Sequence, residues 1–341
     1  GRCCMRKRFV AKKRRKKWKL RYLFYVVLIY FVYQFMFGYV LSLKIAHNNE
    51  DFLKAMLRDS NHHLLYEKNS ETLFTKVTNF LTQIDITKPL TIIEKGFFYE
   101  EKKTEQVAKT SADGDQEKMP ETKYVSDPNP TQVAMTPRVY IYNTHQLENY
   151  SMTNLEVYNI TPNVMMTSYL LREKLNHQGI STIVEEANFK EYMQANPWVG
   201  KDQYKVSRQF LTQTLKAYPN MDLMIDLHRD AIKKTASTWS DGTKNYAKVL
   251  FVVGTAYDGY EKNLELANLF HQKINAKYPG LSRGVMQKEG TGVNGIYNQD
   301  VSSNMLLIEC GGYENTIDEV ANTTDILAAI ITEYLGEAHE V

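Results

Sequence analysis

The hydrophobic and polar positions divide the chain into distinct zones. An almost unbroken apolar run fills 20–43, interrupted only by Arg21 at its edge and Gln34 inside. Between 49 and 100 the pattern is helical, with Leu73, Phe74, Val77, Phe80, Leu81 and Ile84 at the spacing of one helix face. From 101 to 137 charged and small polar residues take over, with Pro120, Pro128, Pro130, Pro137 and a single aromatic, Tyr124. Beyond Arg138 short apolar runs alternate with amphipathic stretches. Strands are predicted at 138–143, 180–184, 221–227, 247–254 and 305–310, and helices at about 163–177, 203–217, 260–276 and 316–334. This alternation predicts an α/β domain over 138–341, with a mostly parallel sheet covered by helices on both faces.

Charge assigns the first zones a role. Twelve of the 42 Lys and Arg residues lie in 1–21, leaving 30 basic residues against 39 acidic ones elsewhere. A basic tail at 1–19 followed by an apolar run of this length predicts a transmembrane anchor at 20–43, with a cytoplasmic N-terminus and the rest of the chain outside. The segment Tyr39 to Lys44 offers no small-residue cleavage site, so the anchor is expected to stay uncleaved. The basic run could instead read as a nucleic-acid patch, but beside a membrane span that reading is the weaker one, and no nucleic-acid partner is expected. The zone 44–100 then reads as an external helical stalk or docking region, and 101–137 as a flexible linker too poor in apolar residues to order itself. Cys3 and Cys4 fall on the cytoplasmic side and Cys310 stands alone outside, so no disulfide holds the outer part together.

Open α/β sheets bind ligands at the carboxyl ends of their strands, and that is where the candidate chemistry lies. His145 and Glu148 follow the first predicted strand, His228 closes "DLMIDLHRD" and Glu309 closes "NMLLIEC". Catalytic zinc takes three protein ligands from His and Asp or Glu and keeps a position for water, and His145, Glu148 and His228 supply such a set. H-x-x-E with a distant His is a sparse motif on its own. Glu309 adds weight, because a carboxylate ending a buried strand is costly without a partner and a zinc hydrolase needs a proton-transferring carboxylate. The other reading of Glu309 is an edge carboxylate or a helix cap. His62 and His63 have no partner at metal spacing. His228, Arg229 and Asp230 spell the H-R-D of a kinase loop, yet Thr235 stands where that loop needs Asn and no Gly-rich loop precedes it, which excludes a kinase. Ser302, Ser303 and Cys310 lie in no nucleophile context, and Cys310 reads as a core residue.

The blocks "IYNTHQLENY", "DLHRD", "AKVLFVVGT", "YEKNLELAN" and "YNQDVSSNMLLIECGGYENTIDE" resemble, in this order, those of the stage II sporulation protein P family, over about 138–335. The resemblance implies a membrane-anchored peptidoglycan hydrolase related to zinc-dependent N-acetylmuramoyl-L-alanine amidases. It places the zinc histidines on His145 and His228, the catalytic glutamate on Glu309 and the acidic ligand on Glu148, with Glu156, Glu173 and Glu185 as alternatives. Asn143 departs from the pattern, where "YHTH" is expected instead of "YNTH". Arg229 and Asp230 are candidates to orient His228 or to bind substrate, and "NPWVG" at 196–200 and the polar stretch 288–300 are candidate substrate contacts. The expected function is cleavage of the amide between N-acetylmuramic acid and the first L-alanine of the stem peptide. The alternatives are a stem-peptide endopeptidase using the same zinc site and an inactive cell-wall scaffold. The resemblance also implies a role in septal wall thinning and engulfment during sporulation, beside a lytic transglycosylase and a membrane-bound coordinating protein. A vegetative role fits these residues equally.

Overall fold

The computed structural model describes residues 21–35, 48–60, 122–128, 136–153, 155 and 160–337. Residues 21–35 form a helix whose apolar side chains are largely exposed, in a unit separate from the rest. Among the described residues no helix is long and apolar enough to cross a membrane. The remainder of the expected anchor, the predicted helix face at 73–84 and the pair His62–His63 lie outside the described residues.

The α/β unit opens with α1 (Asn49–Ser60). Phe52, Leu53, Met56 and Leu57 are buried, so α1 belongs to this unit instead of forming a free stalk. It packs on α2 (Val164–His177), and the Asn49 side chain both donates to the Thr161 carbonyl (3.3 Å) and accepts from its N–H (3.1 Å). The sheet comprises β1 (Val139–Tyr142), β2 (Thr182–Val184), β3 (Leu223–Asp230), β6 (Val249–Gly254), β7 (Ser282–Lys288) and β8 (Met305–Gly312), in the order β2-β1-β3-β8-β6-β7. The strands β4 (Thr238–Ser240) and β5 (Asn245–Ala247) form a separate hairpin. The helices α3 (Phe189–Ala195), α4 (Gln203–Ala217), α5 (Tyr260–Lys277) and α6 (Ile317–Glu337) complete the unit.

β2, β1, β3 and β8 run parallel, while β6 is antiparallel to β8 and parallel to β7. Side chains alternate across a strand, so one face carries Tyr140, Tyr142, Met224 and Met305 against Leu211 of α4. The opposite face meets α2, α5 and α6, with Phe251 of β6 packed on Phe270 of α5. β7 was not expected. It is a half-exposed edge strand, "SRGVMQK", with too little apolar character to stand out as a buried run.

The expected linker needs a larger correction. Residues 122–128 lie in an extended path over the domain, with Val125 fully buried. Tyr169 Oη donates to the Val125 carbonyl (3.2 Å), Asn163 Nδ2 donates to that of Lys123 (2.9 Å), and the Thr122 hydroxyl donates to the Leu147 carbonyl. Asp127 accepts from both terminal nitrogens of the fully buried Arg172. The segment cannot make a core alone, but the domain supplies one. Asp127→Ala would take both hydrogen-bonded carboxylate contacts from the buried Arg172 guanidinium and leave it only the longer 3.7 Å ion pair with Glu173. A loss of about 3–5 kcal/mol in urea unfolding is expected. A change below about 1 kcal/mol would mean that this ion pair does not hold the strap.

Candidate metal centre

β1 ends at Tyr142, and the chain turns over 143–147 so that the Glu148 N–H bonds back to the His145 carbonyl (3.1 Å). This turn brings the two side chains together, with His145 Nδ1 3.2 Å from Glu148 Oε1. Asn143, where the family pattern expects His, is buried and structural. Its Nδ2 donates to the Leu227 carbonyl (2.6 Å), and its Oδ1 accepts from Ser168 Oγ (2.9 Å).

The third member comes from the neighbouring strand. His228 Nδ1 lies 3.4 Å from Glu148 Oε2, and the two imidazoles stand nearly perpendicular with centroids 5.0 Å apart. The Arg229 N–H donates to the same Glu148 oxygen (3.0 Å). One ligand atom from each of His145, Glu148 and His228 can be chosen so that all lie within 4.8 Å of one another. The His228 side chain is 4% exposed and that of His145 39%, so the cluster is rooted in the sheet and open on one side. Burial alone would raise the Glu148 carboxyl, but the charge of His228 and bonds from His145 and His228 hold it well below the usual carboxylate range. Burial would lower the His228 imidazolium, yet Asp226 and Glu148 push it well above its ordinary value. Two imidazoles and an ionised carboxylate around one open position form a donor set that fits a zinc ion.

Glu309 is the register partner of His228 on β8, so both project to the same face, the one covered by α4. Both residues sit inside their strands, and the pairing slips by one residue just beyond them, between His228 and Asp230. Such bulges re-aim side chains and recur beside active sites. Glu309 Oε2 is buried without a hydrogen-bond partner. Burial pushes its carboxyl up to about 7, with Glu148 and Asp230 adding to the rise and His228 and Lys288 opposing it. Cys310, beside it, points into the core as a buried free thiol pushed up to about 12 by burial.

Tyr204, at the start of α4, walls the site. Its ring lies edge-on to His145 at 5.5 Å, stacks over His228 at 6.5 Å and meets Tyr297 edge-on at 5.6 Å. Tyr297 and Asn298 both adopt left-handed backbone, at φ 54° and 58°, which close the polar loop leading to β8. Gly254 is required where that loop crosses β6, since a Cβ there would sit 2.3 Å from the Gly295 carbonyl oxygen. None of these aromatic contacts was legible beforehand, because Tyr204 and Tyr297 come from separate segments with no shared spacing. Asp226 was also missed, although D-x-H within a strand puts both side chains on one face.

The remaining expected residues sit elsewhere. Arg229 Nε donates to the Asn149 carbonyl (2.9 Å), and its guanidinium lies 6.0 Å from the Tyr313 ring, against the loop that carries Glu148. Asp230 pairs with Arg283. Glu173 lies beside Arg172 and His177, and Glu185 accepts from the Tyr140 hydroxyl (2.7 Å). Glu156 lies outside the described residues. Trp198 of the 196–200 loop is 67% exposed.

Comparison with known proteins adds context. The family model "Stage II sporulation protein P (SpoIIP)" matches residues 66–332. Stage II sporulation protein P of Bacillus subtilis (strain 168) is 32% identical over 209 residues, covering 60% of this chain and 52% of that protein, so the match spans about half of the relative's length. Among solved structures, the CwlD amidase of Clostridioides difficile in complex with the GerS lipoprotein is 12% identical over 58% of this chain and 98% of its own, with a TM-score of 0.37. An N-acetylmuramoyl-L-alanine amidase of Clostridium difficile 630 is 14% identical over 60% of this chain and 98% of its own, also with a TM-score of 0.37. Structural likenesses this low carry no weight in assigning a function.

Proposed function

The chain belongs to the stage II sporulation protein P family, and from that membership and the His–Glu–His cluster we propose that it is a zinc-dependent peptidoglycan hydrolase. The bond cleaved is the amide between N-acetylmuramic acid and the first L-alanine of the stem peptide. The observation that carries the reading is that His145, Glu148 and His228 converge within 4.8 Å while Glu309 lies beside His228 on the next strand.

His145, Glu148 and His228 would hold the zinc ion. When bound, zinc supplies Lewis acidity, lowering the pKa of a water and polarising a carbonyl. The Arg229 N–H keeps Glu148 turned toward the histidines. Tyr204 covers both imidazoles and excludes bulk water from that side. Glu309 Oε2 accepts the proton as the attacking water forms the new C–O bond, and returns it to the alanine nitrogen as the C–N bond breaks. A carboxyl held near 7 is suited to both steps at neutral pH. The products are a lactyl carboxylate on the glycan and a peptide with a free L-alanine amino group.

The basic residues before the apolar run at 20–43 support an anchored enzyme with its α/β unit outside the membrane, and the family membership supports a role in sporulation, on the septal wall beside a lytic transglycosylase and a membrane-bound coordinating protein. Mass spectrometry of peptidoglycan digested by the full chain tests the bond assignment. Stem peptides with free L-alanine ends, together with peptide-free glycan, are expected. Fragments cut within the stem and still attached to muramic acid would replace the amidase with an endopeptidase, and no release at all would leave a scaffold.

A further inference from the structure

We infer that Asp226 is a positioning residue that fixes the ring of His228 with Nδ1 toward the metal cluster. The inference rests on the zinc reading above. Asp226 and His228 are two residues apart on β3 and share a face. The two imidazole nitrogens look in opposite directions. Nδ1 is 3.4 Å from Glu148 Oε2, inside the cluster, whereas Nε2 is 2.9 Å from Asp226 Oδ1, as an ion-pair contact without the alignment of a hydrogen bond. A metal needs a bare nitrogen lone pair, so the ring proton must sit on the other nitrogen. Only a proton at Nε2, facing Asp226, leaves Nδ1 free.

Asp226 is itself held from behind. It is 1% exposed, and its Oδ1 accepts from the Thr144 N–H (2.9 Å) and its Oδ2 from the Thr144 hydroxyl (2.7 Å). The Thr144 hydroxyl also lies 2.8 Å from Ser207 Oγ, and the Ser207 hydroxyl donates to the Tyr204 carbonyl (3.2 Å). Asn298 Nδ2 in turn donates to Ser207 Oγ (3.0 Å). The chain Asn298, Ser207, Thr144, Asp226, His228 thus joins the left-handed turn before β8, helix α4, the β1 turn and β3. Both donors that reach the carboxylate belong to Thr144, its N–H to Oδ1 and its hydroxyl to Oδ2, and they hold Asp226 as an acceptor. Thr144 directly precedes His145, so one network fixes the neighbourhood of both histidine ligands. Carboxylates that orient a metal-bound His raise metal affinity this way.

The test is zinc binding by the full chain against a chromophoric chelator, with the visible absorption of the cobalt-substituted protein as a second readout. Asp226→Asn should weaken zinc by about 10- to 100-fold and alter the cobalt spectrum. Thr144→Val, which removes one donor to the carboxylate, should weaken zinc by about 2- to 10-fold. Folded Asp226→Asn with parental zinc affinity and cobalt spectrum would overturn the inference. If that variant fails to fold, parental affinity in Thr144→Val overturns it. A parent chain that binds no zinc would defeat the zinc reading itself, an outcome distinct from either.

Discussion

Glu309→Gln should lose about 10²- to 10⁴-fold in peptidoglycan hydrolysis while still binding zinc as tightly as the parent. The substitution keeps the side chain's size and removes its ability to take a proton. None of the three clustered ligands changes. The same variant carries a second signature in the metal-free chain. There burial pushes the Glu309 carboxyl up to about 7, against 4.5 for an ordinary glutamate. A raised carboxyl means the folded chain favours the protonated form. Its contribution to stability is therefore complete below about pH 4.5 and is lost as pH rises through about 7. Gln never ionises and escapes this loss, so metal-free Glu309→Gln should be about 1–3 kcal/mol more stable than the parent at pH 8, with the difference gone at pH 4. Lower activity with higher stability at pH 8 marks a residue kept for chemistry. Near-parental turnover, or loss of zinc, would remove Glu309 from the proton-transfer role.

The other large effect is expected at the ligands. His228→Ala and Glu148→Gln should each lose stoichiometric zinc and, with it, hydrolysis, since each removes one of three protein donors. Glu148→Gln is the cleaner of the two, because Gln can still receive the Arg229 N–H that now bonds Glu148. His228→Ala also strips the buried Asp226 of a neighbour and should cost stability as well. His145 is the most exposed of the three, so His145→Ala should lose zinc with the least effect on folding. Metal analysis after dialysis, with urea unfolding on the same samples, checks all three. Retained zinc in Glu148→Gln would mean that another carboxylate supplies the acidic ligand.

Much of this arrangement could be read from the chain before its fold was known. H-x-x-E after a strand brings two donors together through one turn, and that local geometry needs only the short span from His145 to Glu148. His228 and Glu309 were placed at strand ends on one edge, which was right as to the edge. Both lie inside strands that continue past them, and only the register pairs one with the other. No sequence pattern fixes a parallel register. The reversed pair β6 and β7 was hidden for a related reason, since a buried apolar run such as "VLFVVG" reads the same in either direction. The strap at 122–128 was misread because composition measures what a segment can bury by itself, whereas Val125 and Asp127 are buried by the domain they cross. Tyr204 reaches the histidines from a separate segment and carries no motif. Asp226 alone left a trace, as a carboxylate two residues before a strand histidine.

The central claim is that His145, Glu148 and His228 are ligands of one zinc ion. Anomalous diffraction at the zinc edge, from crystals of the zinc-loaded protein, tests it most directly. The account predicts a single strong peak among these three side chains, with Glu309 beside it and not bonded to it. A peak bonded to Glu309, a peak at another carboxylate such as Glu156, or no peak in fully loaded crystals would contradict it.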